Sequence, residues 1–169
     1  MGAVIMLSGP VGAGKTTVAR TLIPLLAGPV SYIEGDDFWR FVARTKSPDR
    51  RVNFPIVIRS MIAAAAPFAR TGYDVLLDFS IPPDFLAVAR RILKETPMDF
   101  ILLRPSLGVC EIRAAERSEG RITDYAPYRD FYAMFDGMDR HVLEDDQADA
   151  ATLAGRILQG LDAGAFRVS

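Results

Sequence analysis

The amino-acid sequence predicts a three-layer α/β fold, a five-stranded parallel sheet with helices on both faces. Short apolar runs of four to six residues alternate with longer helical patterns, the sequence form of repeated βαβ units. Most of these runs are apolar on both faces, as strands buried in a parallel sheet are. The 169 residues fit one domain, 1–169, and a chain of this size buries roughly 70% of the surface its unfolded form exposes, enough to fold without a disulfide or metal.

In chain order, Ala3–Leu7 reads as the first strand and Lys15–Leu26 as the first helix, stopped near Pro24 and Gly28. The second strand is expected at Val30–Glu34. A long helix follows over Asn53–Thr71, with Asn53 as N-cap, Gly72 as stop and a stripe of Phe54, Val57, Ile58, Met61, Ile62, Ala65 and Phe68. Asp74–Asp78 is the third strand, Pro83–Glu95 a helix and Phe100–Leu103 the fourth strand. Helices are expected at Leu107–Ser118 and Tyr128–Arg140, the fifth strand at His141–Glu144, and a last helix at Ala148–Gln159.

Twenty basic against twenty-one acidic side chains give a net charge of -1, so no global positive field gathers long nucleic acid or an anionic membrane. The single cysteine, Cys110, cannot form an internal disulfide, and no Cys/His cluster has metal-ligand spacing, which points to the cytosol and away from structural zinc. The apolar start is too short for a signal peptide, and no stretch approaches the ~20 residues of a membrane span.

The segment GPVGAGKTT satisfies GxxxxGK[ST], with Gly9, Gly14, Lys15 and Thr16 in the fixed places, after an apolar strand and before a helix. Glycines let backbone N–H groups of Gly9, Val11, Gly12, Ala13 and Gly14 close around phosphate oxygens, Pro10 shaping the loop without a donor of its own, and the helix adds its positive dipole end. Lys15 reaches the β and γ phosphates, Thr16 ligates magnesium and Thr17 completes the loop. A dinucleotide fingerprint fits worse, because Thr17 stands where its third glycine belongs.

Three further patterns carry chemistry. In IEGDDFW, Asp36 stands at the carboxyl edge of the sheet as the group that orients an acceptor hydroxyl and takes its proton, with Asp37 as runner-up or as a helix cap and Trp39 as a pocket wall. VLLDFS ends a strand in Asp78, placed to hold magnesium opposite Thr16, or to cap the next helix. Arg113, Arg117 and Arg121 recur in steps of four, so an anion between them relieves their repulsion; Glu116 and Glu119 are the alternative partners. Residues from Arg104 to about Met138 then form a lid over the phosphates.

Other residues read as structural. His141 stands at the mouth of a strand, and Cys110 behaves as a small buried apolar residue. Tyr128, Phe131, Tyr132 and Phe135 recur at core spacing, with Tyr125 and Tyr128 as possible borders of the acceptor, and Arg59 is a weaker acceptor contact.

Together GPVGAGKTT, GDD after strand two, VLLD at strand three and LRPSLGVCEIRAAERSEGR after strand four resemble the P-loop small-molecule kinases. The nearest pattern is the chloramphenicol phosphotransferase-like group, with gluconate kinases and adenylylsulfate kinases more distant. The resemblance implies a nucleoside-kinase-like P-loop NTPase with strand order 2-3-1-4-5, ATP and Mg2+ as cofactors, and an acceptor over strands two and three. It places Lys15 and Thr16 on ATP and magnesium, Asp36 at the acceptor, and Arg117 with Arg121 in the lid. Phe38 and Trp39 follow GDD where gluconate kinases have a histidine, so gluconate is not implied. The expected activity is phosphoryl transfer to a hydroxyl of a small molecule, by a cytoplasmic monomer or homodimer. A nucleoside or polynucleotide kinase and a non-catalytic nucleotide switch are the alternatives.

Overall fold

The computed structural model describes residues 1–118, 120–138 and 140–168. Five parallel strands, β1 (Val4–Ser8), β2 (Val30–Glu34), β3 (Asp74–Asp78), β4 (Met98–Leu103) and β5 (Val142–Leu143), lie in the order β2-β3-β1-β4-β5. This is the order the resemblance implies. The register pairs Leu7 with Asp78 and Glu34 with Asp78, which brings the carboxyl ends of β1, β2 and β3 to one level.

Helices α1 (Lys15–Leu22) and α6 (Ala150–Asp162) cover one face, packing Val18, Ala19, Leu22, Leu153 and Ile157 on Ile5, Leu7, Leu76 and Ile101. On the other face α2 (Arg50–Arg70) and α3 (Leu86–Leu93) lay Val57, Ile58, Met61, Ile62, Ala89 and Leu93 on Val4, Met6, Val75, Leu77 and Phe100. Helices α4 (Leu107–Ala115) and α5 (Ala126–Ala133) stand between β4 and β5 in sequence, over the carboxyl end of the sheet. The central strands β1 and β4 are buried throughout, which is why their residues are apolar on both faces apart from Ser8 and Asp99.

Several boundaries differ from the sequence reading. The first helix tightens into a 3-10 turn, Ile23–Leu25, where Pro24 removes a backbone donor. Strand β4 begins at Met98 rather than at the expected Phe100, and Asp99, buried within it, pairs with Arg167 at 3.1 Å. The C-terminal tail supplies that partner. Phe100 donates its N–H to Phe166 and Val168 donates to Met98, so the tail covers the part of the β4 edge that the short β5 leaves open.

Helix α2 starts before Asn53 because Asp49 caps it, accepting the N–H of Arg51 at 2.9 Å. Asn53 becomes a buried interior residue whose amide donates to Thr45. Phe68 leaves the expected stripe and is exposed against Tyr73, while Ala66 and Ala69 take the buried positions. The same helix corrects the expectation that no stretch approaches a membrane span. Among the described residues α2 is long and apolar enough by composition, with a mean hydropathy of 1.5 over its best window. Its apolar stripe is spent on the sheet.

Candidate active site

At the end of β1 the chain turns through Gly9–Gly14 into α1. Gly14 caps that helix with φ +88°, and Gly12 has φ +83°. A Cβ on Gly12 would lie 2.2 Å from the Cys110 carbonyl oxygen, so both the backbone conformation and the closeness of α4 demand glycine there. Val11, Gly12, Gly14, Lys15, Thr16 and Thr17 line a cleft of about 950 Å³. Gly9, Pro10 and Ala13 are buried behind that surface. The Lys15 ammonium donates to the carbonyls of Gly9 at 3.1 Å and Pro10 at 3.0 Å. Burial pulls its pKa below the usual lysine value, opposed by the charges of Asp78 and Asp36. Both carboxylates therefore act electrostatically on the same ammonium.

Asp78 is 3% exposed and lines the cleft from the end of β3. The Tyr32 hydroxyl, reaching from β2, donates to Asp78 Oδ2 at 2.9 Å and stands 3.4 Å from Glu34 Oε2. Burial, followed by the Asp78 charge, raises the Tyr32 pKa, so the hydroxyl keeps its proton. Glu34 also lines the cleft and lies 3.7 Å from Arg20 of α1.

The opposite wall begins at Gly35, which opens a 3-10 turn, Gly35–Phe41. A Cβ on Gly35 would meet the Phe79 ring at 2.4 Å, so the missing side chain lets that ring close under the turn. The turn directs Asp36 into the cleft, while Asp37 sits outside the lining and pairs with Arg40 at 3.2 Å. The wall itself is aromatic. Phe54 is its hub, with ring centroids 5.6 Å from Phe79, 5.9 Å from Phe131, 6.5 Å from Phe85 and 6.5 Å from Trp39. Arg50 stacks its guanidinium over Trp39 at 4.2 Å.

Helix α4 ends at Ala115, short of the expected Ser118, so the step-of-four face of Arg113, Arg117 and Arg121 is not formed. Arg113 and Arg117 nevertheless line the cleft. Arg121 does not; its Nε donates to the Ala115 carbonyl at the end of the helix. Among the described residues none of the three makes an ion pair with Glu116, and Glu119 lies outside the described residues. The following segment docks on the phosphate loop, the Tyr125 hydroxyl donating to the Val11 carbonyl at 2.6 Å. Arg104 ties this segment to the sheet through Asp136 and Glu144.

Tyr128 and Phe131 face the cleft, Tyr125 is buried beside Cys110, and Phe135 enters the core. Burial pushes the Cys110 thiol up to about 11. His141 and Arg59 lie outside the cleft lining, and burial lowers the His141 pKa.

The sequence reading missed Tyr32, Glu34, Phe54, Phe79 and Arg50. Strand alternation held the signal for the first two, since Tyr32, Glu34, Leu76 and Asp78 share the α1 face. The aromatic residues carry no local motif. Thr16 and Asp78 suit a hard divalent cation that takes one or two carboxylates and retains waters and phosphate oxygens. No cluster of three or more His, Cys, Asp or Glu that could hold a metal occurs among the described residues.

The sequence profile of the chloramphenicol phosphotransferase-like proteins matches residues 2–147. No curated protein matches the chain by sequence. Among solved structures, the tunicamycin resistance protein of Deinococcus radiodurans is similar with a TM-score of 0.73 at 18% identity, over 100% of this chain and 99% of that one. The APS kinase of Mycobacterium tuberculosis in complex with AMPPNP and APS has a TM-score of 0.71 at 20% identity, over 95% and 98%. Shikimate kinase from Acinetobacter baumannii in complex with shikimate has a TM-score of 0.65 at 22% identity, over 97% and 95%. These likenesses establish the fold, a P-loop kinase architecture.

Proposed function

We propose that this chain, which belongs to the chloramphenicol phosphotransferase-like family, is an ATP-dependent kinase that transfers the γ-phosphoryl group to a hydroxyl of a small molecule. One observation carries the reading: the phosphate loop with Lys15, the carboxylate Asp78 and the carboxylate Asp36 line the same cleft. A nucleotide switch needs the loop but has no use for a carboxylate on the far wall. The AMPPNP held by the similar APS kinase supports ATP as donor.

In this reading the acceptor oxygen bonds to the γ-phosphorus as the bond from that phosphorus to the bridging oxygen breaks, and the hydroxyl proton passes to Asp36. Lys15 exchanges the Gly9 and Pro10 carbonyls for phosphate oxygens, and Arg113 and Arg117 offset the charge that builds on the transferred group. Thr16 and Asp78 would hold magnesium, which neutralises phosphate charge. The wall of Trp39, Phe54, Phe79, Phe85 and Phe131 favours an acceptor with an apolar body over a polyol, whose hydroxyls would lose water without gaining partners.

The test is magnesium-dependent ATP consumption against antibiotics, sugars, sugar acids and nucleosides, with Asp36→Asn as the paired control. Turnover is expected with an acceptor of apolar body and falls by about 10²- to 10⁴-fold in the variant, while ATP affinity stays within a few-fold. Equal rates in the two proteins would overturn the role of Asp36.

A further inference from the structure

The hydrogen bond from Tyr32 to Asp78 does more than join two strands. Asp78 is buried, and among the described residues the Tyr32 hydroxyl is the one hydrogen-bond donor its side chain has. A buried carboxylate with a free oxygen on each side could rotate about its last bond, and neither oxygen would have a fixed direction. Tyr32 removes that freedom. Its ring is anchored by packing against the core that α1 and α6 make with the sheet, so the hydroxyl is held from below. The contact is also set by the ladder, because Tyr32 lies opposite Leu76, one same-face position below Asp78.

Glu34 makes the hydroxyl more necessary. It stands directly opposite Asp78 in the register, and its Oε2 is 3.4 Å from the Tyr32 oxygen. Two carboxylates on adjacent strands repel each other, and without an intervening donor Asp78 would swing away from Glu34. The Tyr32 hydroxyl oxygen is closer to Asp78 Oδ2, at 2.9 Å, than to Glu34 Oε2, at 3.4 Å, while Arg20 offsets Glu34 at 3.7 Å. The chain Arg20, Glu34, Tyr32 and Asp78 thus runs from α1 across β2 to the end of β3.

We propose that Tyr32 is a positioning residue for the divalent cation: by engaging Oδ2 of Asp78 it fixes the carboxylate so that Oδ1 is presented to the cleft beside Thr16. The proposal rests on the kinase reading, in which Asp78 and Thr16 hold magnesium. Groups that orient a metal ligand influence affinity without touching the metal. Phenylalanine at this position keeps the packed ring and removes only the donor, so Tyr32→Phe separates the orienting role from a packing role.

The experiment uses Mn2+ as the probe, titrated into the whole protein loaded with a non-hydrolysable ATP analogue, with free Mn2+ counted by electron paramagnetic resonance. Parent, Tyr32→Phe and Asp78→Asn are compared, and analogue affinity is also measured in excess chelator. Tyr32→Phe is expected to weaken Mn2+ binding roughly ten- to a hundredfold, with metal-free analogue affinity unchanged within about twofold. Mn2+ affinity unchanged in Tyr32→Phe but weakened in Asp78→Asn would overturn the role of Tyr32 alone. Unchanged affinity in both variants would remove Asp78 from the metal site and overturn the proposal with it, leaving the assay of Asp36 to decide the kinase reading separately. Equal losses of metal-free and Mn2+-supported analogue binding in Tyr32→Phe would assign the residue to general packing and also overturn the proposal.

Discussion

The phosphate loop draws its shape from consecutive residues, Gly9–Gly14, whose backbone is itself the binding surface. The facing wall collects Trp39, Phe54, Phe79, Phe85 and Phe131 from segments scattered along the chain, and its surface is made of side chains. The loop side can do one thing, hold a phosphate chain, because its geometry is written in glycine positions and in the start of α1. The aromatic side can be repacked around many shapes by changing rings one at a time. In the proposed reading the loop side serves the donor and the aromatic side the acceptor, so a substitution on one side should leave the binding constants of the other unchanged.

Gly12→Ala is the strongest way to break that separation. The new methyl group must occupy a left-handed backbone conformation, costing about 1–3 kcal/mol, and it meets the Cys110 carbonyl at 2.2 Å. Nucleotide affinity, read by calorimetric titration, is expected to fall roughly ten- to a hundredfold, the same range as that strain energy. The acceptor KM should not move. A parallel loss on the acceptor side would mean that α4, displaced from the loop, also shapes the aromatic wall.

The difference between the halves also explains what could be read from the sequence. Gly9, Gly14, Lys15 and Thr16 lie within one short motif, so their spacing alone exposes the phosphate site. Asp36 and Asp78 could be found because Asp78 ends β3 and Asp36 follows the end of β2 by two residues, and parallel strands deliver their carboxyl ends to one edge. Phe54 could not be assigned. It lies on the same helical stripe as Val57 and Ile58, and periodicity cannot distinguish a ring that faces the core from one that faces a cleft just above it. Tyr32 was hidden for a related reason, since its hydrogen bond to Asp78 depends on which residue of another strand stands beside it. Asp99 lies just outside the expected fourth strand, yet it is interior because the distant Arg167 returns to meet it.

Phe131→Ala sharpens the comparison from the other side. Phe131 leans edge-on against Phe54 at 5.9 Å and against Phe135 at 5.4 Å, joining the cleft wall to the core beneath α5. An aromatic face against an apolar acceptor contributes on the same order as such a pair, about 0.5–1.5 kcal/mol, so in the proposed reading acceptor KM should rise roughly three- to tenfold. Nucleotide affinity is expected to stay at the parent value. Steady-state kinetics with each substrate varied in turn would distinguish the two, and a rise in the ATP KM alone would place Phe131 on the donor side.

The smallest expected effect belongs to Arg121, where spacing in the sequence and position in the fold disagree. A continuous helix would have set Arg113, Arg117 and Arg121 along one face, but α4 ends at Ala115, where Arg121 turns back to donate to a carbonyl left without a helical partner. Arg113 and Arg117 stay on the cleft because the first is still helical and the second follows close after the helix end. Arg121→Ala removes a cap from a helix terminus and a charge from the surface, so turnover should stay within about twofold while the melting temperature falls slightly. A loss of turnover of tenfold or more, on the order of one charge-assisted contact to a phosphate, would mean that Arg121 joins Arg113 and Arg117 when nucleotide binds, restoring the helical face that the spacing describes.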